Sequence, residues 1–535
     1  MIRIRNLRLE PGEAESLLRE RAARKLRVPA ESICDWRILK KSLDARKKND
    51  LHYIYTVAVT LRGGEETLLA RNKDPQIDAY TPRDYHIPTV RCEERPVVVG
   101  FGPAGMFAAL VLARAGARPI VLERGQDALR RRQAVEAFRA GGRLDPENNV
   151  QFGEGGAGTF SDGKLNTGTH DPRMSWVLEQ FHAHGAQESI LYDAKPHIGT
   201  DVLVEVVQNF RREILALGGD VRFGTRLTDL IVENGVLTGL RFSGPEGEGA
   251  LPCRNLILAI GHSARDTFEM LHEKKIPMEP KPFSMGARIE HRQSAIDRAQ
   301  YGRERGELPP ADYSLNVHLP DGSSAYTFCM CPGGEVFAAA SEEGGVVTNG
   351  MSESRRDGEN ANAALLVTLH PEDFPGEDVL AGLRWQREIE RRAFTYGGET
   401  YFAPAQTVGD FLRGVPSEGP GAVRPSYRPG VRWGDLHAVL PRRITDVLEQ
   451  AIPALGRKLA GFDDPDAVLT APETRSSSPV RLPRDEGCSS AVEGLYPCGE
   501  GAGYAGGITS AAVDGMRCAE AILKRLSGQT EASVL

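Results

Sequence analysis

The residue types best suited to hold a ligand lie in a short glycine-rich segment behind a run of valines. The segment GFGPAG (100–105) has the G-x-G-x-x-G spacing and separates Val97–Val99 from a long apolar stretch. A strand, a tight turn and a helix in this order present backbone N–H groups and a positive helix end to a pyrophosphate. Gly100 permits the turn, Gly102 lets the backbone approach the phosphates, and Gly105 lets the helix pack close. The predicted contacts are Gly100, Gly102, Pro103, Ala104 and Gly105.

An acidic residue ends the next buried strand. The run PIVLER carries Glu123, about 20 residues beyond the glycines, where an acid hydrogen-bonds the ribose hydroxyls of an adenine dinucleotide. An acid at this position favours a free 2′-hydroxyl, so the pattern indicates FAD or NAD and not NADP. A purely structural turn is the alternative, which the two strands, the helix and Glu123 together disfavour. Glu123 and the adjacent Arg124 join the predicted cofactor site.

Segments later in the chain favour FAD over NAD. Gly499 and Glu500 follow a predicted strand, Gly507 and Ile508 open a long helix, and Gly261 ends the buried run NLILAIG. These features resemble the later FAD-contacting motifs of the flavoprotein class with glutathione reductase-like and p-hydroxybenzoate hydroxylase-like folds. The resemblance implies that Glu500 lies near the ribityl chain and pyrophosphate. It also implies that the helix N-terminus after Gly507 faces the pyrimidine edge of the flavin, where it stabilises charge on the reduced ring.

The sequence carries no second complete dinucleotide fingerprint. The match GAGYAG at 501–506 belongs to the closing motif, because no βαβ unit with a ribose acid follows it. Flavoenzymes that bind NAD(P)H on a Rossmann domain of their own carry such a second fingerprint. Either NAD(P)H is a transient electron donor bound without a dedicated domain, or the substrate itself reduces the flavin.

The stretch QFGEGGAGTFSDGKLNTG (151–168) is either a flexible linker or a loop that lies against the cofactor. Its position downstream of Glu123, after a charged helical segment at 127–140, favours the loop. Glycines there let backbone N–H groups approach the pyrophosphate and the ring, where side chains would collide. The predicted contacts in this loop are Gly155, Gly156, Thr159, Ser161, Lys164 and Leu165.

Three residues are candidates for catalysis. Lys164 is the best candidate for a cation beside the flavin, where it would stabilise the anionic reduced form and raise its potential. Arg288 lies on a predicted strand of the insertion and Arg475 at its end, and an ion-pair role is an open alternative for each. Cys329 and Cys331 would share a face of a strand, and two structural cysteines are favoured over a redox pair, whose usual spacing is C-x-x-C. We predict no metal site.

The elements that must position these residues indicate an α/β fold. We predict a discontinuous Rossmann-type FAD-binding domain, an inserted α+β substrate domain and a small N-terminal α/β module. Strands are expected at 1–9, 51–62 and 255–261, a hairpin turn at Asn234-Gly235, and helices at 13–27 and 198–217. Residues 275–470 are expected to hold strand-like patches and loops. The predicted divisions are 1–90, 91–280, 281–474 and 475–535, the first and third being the N-terminal module and the insertion.

Composition sets further limits. The chain has 535 residues, 40% hydrophobic and 26% charged, with a net charge of −7. No global field therefore draws it to nucleic acid or an anionic membrane. No apolar run approaches the roughly 20 residues of a membrane span, and the charged N-terminus is not a secretory signal. Eight scattered cysteines argue against a disulfide scaffold. We expect a cytoplasmic protein of undetermined oligomeric state.

Three long motifs resemble one bacterial family. They are QFGEGGAGTFSDGKL (151–165), CMCPGGEVFAAASEEGGVVTNGMS (329–352) and PETRSSSPVRL (472–482). They are similar to the uncharacterised FAD-dependent dehydrogenases that are also labelled NAD(FAD)-utilising, and the resemblance covers nearly the whole chain. It implies a discontinuous FAD domain with an inserted substrate domain and an oxidoreductase activity without a settled substrate.

These observations support one main functional hypothesis and two alternatives. The first is an FAD-dependent oxidoreductase that moves a hydride between flavin N5 and a small organic substrate bound between the FAD domain and the insertion. The second is a flavin-dependent RNA-modifying enzyme, in which the basic residues at 19–48 bind RNA phosphates. For these residues, an ordinary solvent-exposed surface is favoured over an RNA-binding patch. The third is a non-catalytic, redox-sensing flavoprotein.

Substitution at Gly156 tests the placement of the 151–168 loop. We expect Gly156→Val to release FAD, because a branched side chain would keep the backbone away from the cofactor. The flavin absorbance of the purified variant measures this, and circular dichroism checks that the N-terminal module remains folded. A variant that holds its flavin normally would show that the loop is misplaced.

Overall fold

The computed structural model describes residues 1–82, 84–168 and 170–527. Its first elements form an antiparallel sheet in the order β2–β3–β1–β4, with a helix packed on its apolar face. This confirms the strands predicted at 1–9 and 51–62, while the first helix begins later than predicted. The elements are β1 (Ile2–Leu9), α1 (Leu17–Leu26), β2 (Ile33–Asp44), β3 (His52–Leu61), α2 (Glu65–Arg71) and β4 (Ile77–Ala79).

The next part of the chain alternates short buried strands with helices. A hairpin follows, and its turn at Asn234-Gly235 confirms the prediction, since both residues have the positive φ (51° and 81°) of a type I′ turn. The elements are β5 (Val97–Val99), α3 (Pro103–Arg114), β6 (Ile120–Leu122), α4 (Ala128–Arg139), α5 (Arg173–Ala183), α6 (Thr200–Ala216), β7 (Asp220–Arg222), β8 (Arg226–Glu233), β9 (Val236–Gly244), β10 (Gly247–Pro252), β11 (Leu256–Leu258), α7 (Arg265–Glu273) and β12 (Glu279–Pro280).

A large mixed sheet dominates the insertion. Its strands pair in the order β14–β15–β18–β13–β21–β19–β20. The elements are β13 (Phe283–Arg292), α8 (Gln293–Tyr301), β14 (Asn316–His318), β15 (Ser324–Cys331), β16 (Glu335–Ala338), β17 (Thr348–Met351), β18 (Asn360–Leu369), α9 (Ala381–Tyr396), β19 (Ala403–Thr407), α10 (Val408–Arg413), β20 (Val431–Trp433), α11 (Arg442–Gly456) and β21 (Val468–Glu473).

The insertion contains helices α8, α9, α10 and α11 among its described residues, where the sequence predicts strands and loops at 275–470. Both α9 and α11 carry apolar residues at helical spacing, and these side chains are buried. Leu383, Ile389 and Ala393 illustrate this in α9. Arginine and glutamate occupy the other positions of α9 and obscure the amphipathic pattern in the sequence.

The last elements return to the first part of the fold. They are β22 (Val480–Arg481), β23 (Leu495–Pro497) and α12 (Ile508–Ser527). Strand β23 completes a parallel sheet in the order β23–β11–β5–β6–β7. The predicted α/β class, with a discontinuous Rossmann-type sheet, is confirmed. The domain boundaries stay a prediction.

Helix α3 is almost completely buried. It lies between the parallel sheet and α12, and its residues 104–113 are all buried. Gly105 and Gly515 allow the close approach, because a Cβ at Gly105 would lie 1.9 Å from the Gly100 oxygen and one at Gly515 would lie 2.0 Å from the Ala104 oxygen. Within the described residues, no helix is long and apolar enough to span a bilayer.

The two motif glycines at 102 and 105 should respond differently to alanine. We expect Gly105→Ala to cost about 3 kcal/mol or more, because the new methyl group meets backbone that cannot change rotamer. Gly102→Ala is the matched control: its Cβ would lie 3.6 Å from the nearest atom, the Cα of Gly156. Thermal unfolding of both variants in their ligand-free form measures the difference, since bound ligand also raises the melting temperature, and equal melting temperatures would contradict this packing of α3.

Candidate active site

A continuous cavity of about 450 Å³ runs between the parallel sheet and the insertion. On the sheet side its lining includes residues that follow strands, namely Gly100 after β5, Glu123 after β6 and Gly261 after β11. On the insertion side it includes Cys329 and Asn349. In open parallel sheets, ligands bind at the carboxyl ends of the strands where the strand order reverses, which here is between β5 and β11.

The Glu123 carboxylate joins three segments that surround the cavity. Its Oε2 accepts the Phe101 N–H at 2.7 Å, and its Oε1 accepts the N–H groups of Gly125 and Gly153, both at 2.9 Å. Glu123 is only 4% exposed. A carboxylate has about four lone-pair positions, so one remains for a ligand hydroxyl.

The turn after β5 lies directly against the end of β11. Gly100 has a φ of 96°, and a Cβ there would lie 2.2 Å from the Ala259 oxygen. Gly102 faces the cavity with no atom within 3.5 Å of its missing Cβ, and α3 begins at the next residue. Because residue 102 has no side chain, the space in front of the first turn of α3 is open. The free N–H groups of that turn face this space, and the arrangement fits a pyrophosphate.

The predicted loop at 151–168 is a folded part of the site. Residues Gly156–Phe160 form a short 3₁₀ helix, preceded by Gly155 with a φ of 81°. Gly156 has a φ of 60°, and a Cβ on it would lie 2.8 Å from the Gly102 Cα. The two glycine-rich segments thus contact each other, and a flexible linker is not what the structure shows.

The closing segment supplies a half-buried acid and a helix N-terminus. Glu500 lines the cavity, and burial raises its pKa to about 7, although Lys281 opposes this. The N–H of Gly499 is held by the Asp514 Oδ2 at 2.7 Å. Helix α12 begins at Ile508, which also lines the cavity.

The structure divides the predicted cofactor residues into two groups. Gly105, Gly155, Thr159, Leu165 and Gly499 are outside the lining and act on it through packing or hydrogen bonds. The residues on the lining are Gly100, Gly102, Pro103, Ala104, Glu123, Arg124, Gly156, Ser161, Lys164, Gly261, Glu500, Gly507 and Ile508.

Lys164 lies on the cavity with its charge already paired. Its Nζ is 2.9 Å from the Asp162 Oδ2, and Asp162 also forms an ion pair with Arg356. Burial alone would lower the pKa of Lys164, but the Asp162 carboxylate raises it. The lysine therefore carries its positive charge at neutral pH. The sequence analysis did not identify Asp162 or Arg356 as site residues, although Asp162 lies two residues before Lys164 in the glycine-rich loop at 151–168.

Arg288 is not on the cavity lining. Its guanidinium is fully buried and donates to both oxygens of Glu473, at 2.6 and 3.0 Å. It also donates to the Cys329 carbonyl oxygen at 3.0 Å and to Asn362 at 3.1 Å. These contacts assign the side chain to the ion-pair alternative, and a direct catalytic role for Arg288 has no geometric support.

Arg475 lines the cavity and is also part of a buried ion-pair network. Its guanidinium donates to both oxygens of Glu390, at 3.0 and 2.9 Å, and so does that of Arg265, at 2.8 Å each. Burial would raise the pKa of Glu390, but the two guanidinium groups lower it. The network connects α7, α9 and the segment after β21, so both roles considered for Arg475 stay open.

His262 extends this polar end of the cavity. It lines the cavity, and its Nδ1 lies 2.9 Å from the Ser263 Oγ. Burial and the nearby charges of Arg475 and Arg265 lower its pKa to about 3. His262 is therefore neutral at physiological pH and can exchange hydrogen bonds with a ligand without supplying charge.

Among the described residues, one buried group has the residue types of a metal site. The ligand atoms of Cys498, Asp514 and Cys518 lie within 4.8 Å of one another. Both Asp514 oxygens, however, already accept hydrogen bonds, from Arg484 and from the Gly499 N–H. We assign no metal to it.

Comparison with known proteins agrees with this geometry. A protein-family model described as "FAD-dependent protein, C-terminal domain-like" matches residues 282–476, and a model of a domain of unknown function matches residues 1–60. An "Uncharacterized protein" of Clostridium beijerinckii is 46% identical over 531 residues, which cover 98% of this chain and 99% of that protein.

Solved structures give only distant similarity. A flavin-dependent brominase, Bmp2, is 13% identical with a TM-score of 0.37, over 82% of this chain and 80% of its own. A glycerol-3-phosphate dehydrogenase from Bacillus halodurans, complexed with FAD, is 11% identical with a TM-score of 0.37, over 82% of this chain and 66% of its own. Similarity this low carries no functional assignment. The bacterial relative and the family model show that the chain belongs to a family of uncharacterised FAD-dependent proteins, with FAD as cofactor.

Proposed function

We propose that this protein is an FAD-dependent oxidoreductase that transfers a hydride between flavin N5 and a small organic substrate held between the parallel sheet and the insertion. The observation that carries the proposal is the continuity of the cavity. It extends from Gly102 and Glu123, which suit a dinucleotide, to Tyr313 and Asn349 of the insertion. A bound flavin accepts or donates a hydride at N5, so a substrate on the insertion side would lie next to the reactive atom.

Different residues along the cavity would hold different parts of the cofactor. Gly102 and the first turn of α3 would hold the pyrophosphate, and the free lone pair of Glu123 would hold a ribose hydroxyl. Glu500 would lie near the ribityl chain, where its raised pKa lets it donate a hydrogen bond as a neutral acid. The N-terminus of α12 at Ile508 would stabilise negative charge on the reduced ring.

Lys164 supplies the fixed positive charge of the site. A cation beside the flavin stabilises its anionic reduced form and so raises the reduction potential. The ion pair with Asp162 keeps the ammonium group charged and in place. Lys164 is therefore expected to tune the flavin without transferring a proton.

The insertion end is where a substrate would be recognised. Arg475 can pair with a substrate carboxylate or other anion, and neutral His262 can donate or accept one hydrogen bond. NAD(P)H stays open as a transient donor at this end, because the sequence carries no second dinucleotide fingerprint. The RNA-modifying alternative has no supporting observation in the comparisons.

The proposed reaction is tested by anaerobic reduction of the holoprotein. We expect bleaching of the flavin absorbance by at least one member of a panel of hydroxy acids, amines, alcohols and NAD(P)H. Deuterium at the donated position should slow this bleaching, because the transferred C–H bond breaks in the step. Absence of bleaching by every donor, together with absence of steady turnover, would favour the redox-sensing alternative.

Replacing Lys164 tests its electrostatic role. We expect Lys164→Met to lower the two-electron midpoint potential of the flavin by about 30–60 mV, which corresponds to about 1.5–3 kcal/mol. Lys195→Met is the matched control, since Lys195 also lines the cavity but is 65% exposed and paired with Asp312. Potentiometric titration measures both, and equal potentials for the two variants would exclude Lys164 as the tuning charge.

A further inference from the structure

The strand that carries the two close cysteines is irregular where it meets the cavity. The pairing of β15 with β18 shifts between Phe328 and Cys331, and Cys329 has a φ of 43°. A positive φ costs free energy in a residue with a side chain, and such residues cluster at functional sites. A bulge next to an active site re-aims a side chain. Regular alternation would put both cysteines on one face, but here Cys329 lines the cavity while Cys331 is buried.

The two sulfur atoms are close neighbours. The Cys331 side chain is within hydrogen-bonding reach of the Cys329 sulfur, and its Sγ is 3.2 Å from the Cys329 carbonyl oxygen. In an extended strand the Cβ atoms of residues two apart are about 6–7 Å apart, whereas a disulfide needs about 3.5–4.5 Å between Cβ atoms. The bulge and the positive φ of Cys329 depart from that extended geometry, and this departure is what lets the two side chains approach each other.

The surroundings make the two thiols unequal. The hydrogen bond from Cys331 lowers the pKa of Cys329, burial opposes this, and the charges of Lys164 and Arg288 lower it further. The same hydrogen bond, together with burial and the negative charge on Cys329, raises the pKa of Cys331. The negative charge of Asp162 raises the pKa of Cys329 and so opposes the effect of Lys164. One thiolate and one thiol in contact are the protonation state that thiol–disulfide exchange requires.

Another cysteine on the cavity shows that this environment is specific. Cys498 also lines the cavity, but burial raises its pKa. It lies beside Cys518 and Asp514 and not beside a lysine. Contact with the cavity alone therefore does not lower the pKa of a thiol, whereas at Cys329 the hydrogen bond from Cys331 and the charges of Lys164 and Arg288 lower it.

We propose that Cys329 and Cys331 form a dithiol–disulfide pair that exchanges two electrons with the flavin, as the second redox centre of the enzyme. The inference rests on the proposed function in one respect, that the flavin ring lies in the cavity beside Lys164. The proposed pair would act in the second half of the reaction. There the flavin, reduced by the organic substrate, would pass its electrons to the Cys329–Cys331 disulfide. The final acceptor is then a disulfide or another oxidant that reacts with thiols.

The exchange balances in atoms and electrons. The S–S bond between Cys329 and Cys331 breaks and takes up two electrons and one proton from the anionic reduced flavin. One sulfur becomes a thiolate and the other a thiol, and the flavin returns to its oxidised form. The electrostatics place the negative charge on Cys329, next to Lys164, and the proton on Cys331.

This arrangement gives Arg288 a positioning role. Its guanidinium holds the Cys329 carbonyl at 3.0 Å and is itself fixed by Glu473. The bulged backbone is thereby kept in the conformation that brings the Cys329 sulfur to the cavity. Arg288 acts on the chemistry through Cys329 and without contact to the cavity.

The number of electrons that the holoprotein accepts tests the proposal. Holoprotein oxidised with diamide, and freed of reagent, is titrated anaerobically with dithionite. We expect full reduction to consume four electrons per flavin, two for the ring and two for the disulfide. Cys331→Ser and Cys329→Ser should each consume two. Cys34→Ser removes an exposed thiol outside the site and should behave as the unaltered protein.

Differential alkylation gives a readout that does not depend on flavin or on any variant. In the oxidised protein, thiols are blocked with iodoacetamide, and disulfides are then reduced and labelled with N-ethylmaleimide. We expect the peptide that spans 329–331 to carry two N-ethylmaleimide groups. Uptake of only two electrons by the unaltered holoprotein, or iodoacetamide on both cysteines, would overturn the proposal and leave the proposed function standing. Failure to bind FAD would instead reject the proposed function, while the alkylation result would still report on the pair.

Discussion

The cofactor cavity depends on one buried carboxylate. Glu123 accepts backbone N–H groups from the turn after β5, from its own strand end and from the loop at 151–168. The turn after β5 and the loop also meet directly, because the Gly155 N–H donates to the Phe101 oxygen at 2.8 Å, but Glu123 is the acceptor that all three segments share. Each N–H left without a buried acceptor would cost about 1–3 kcal/mol. Together with the backbone bond from Gly155, this shared acceptor holds Gly156 against Gly102.

The insertion is attached by a different kind of contact. The chain enters its sheet on β13 and leaves it on β21, which pair with each other, so both connections lie side by side. Buried charges then fix its orientation, since Glu390 of α9 is held between Arg265 and Arg475. A buried pair of this kind fixes a unique arrangement more than it adds net stability, and a cavity shared by two sheets requires a unique arrangement.

The nucleotide end could be predicted from the sequence because its determinants are local. Gly100, Gly102 and Glu123 lie within one βαβ unit, where spacing alone specifies the turn and the strand end. The insertion end could not, because its contacts are long-range. Arg288 meets Glu473 from 185 positions away, and the exposure of Cys329 depends on a shift in its pairing with β18. Period-two alternation cannot show such a shift.

Strand β23 has a consequence for how the protein is made. It is an edge strand of the parallel sheet, and α12, which follows it, covers α3. During synthesis the N-terminal parts emerge first, so the growing chain exposes the apolar face of α3 and the open edge of β11 until residues 495–527 leave the ribosome. The nucleotide-binding half therefore completes its folding after the insertion has been synthesised, because Glu500, Gly507 and Ile508 of the cavity lining belong to this last part.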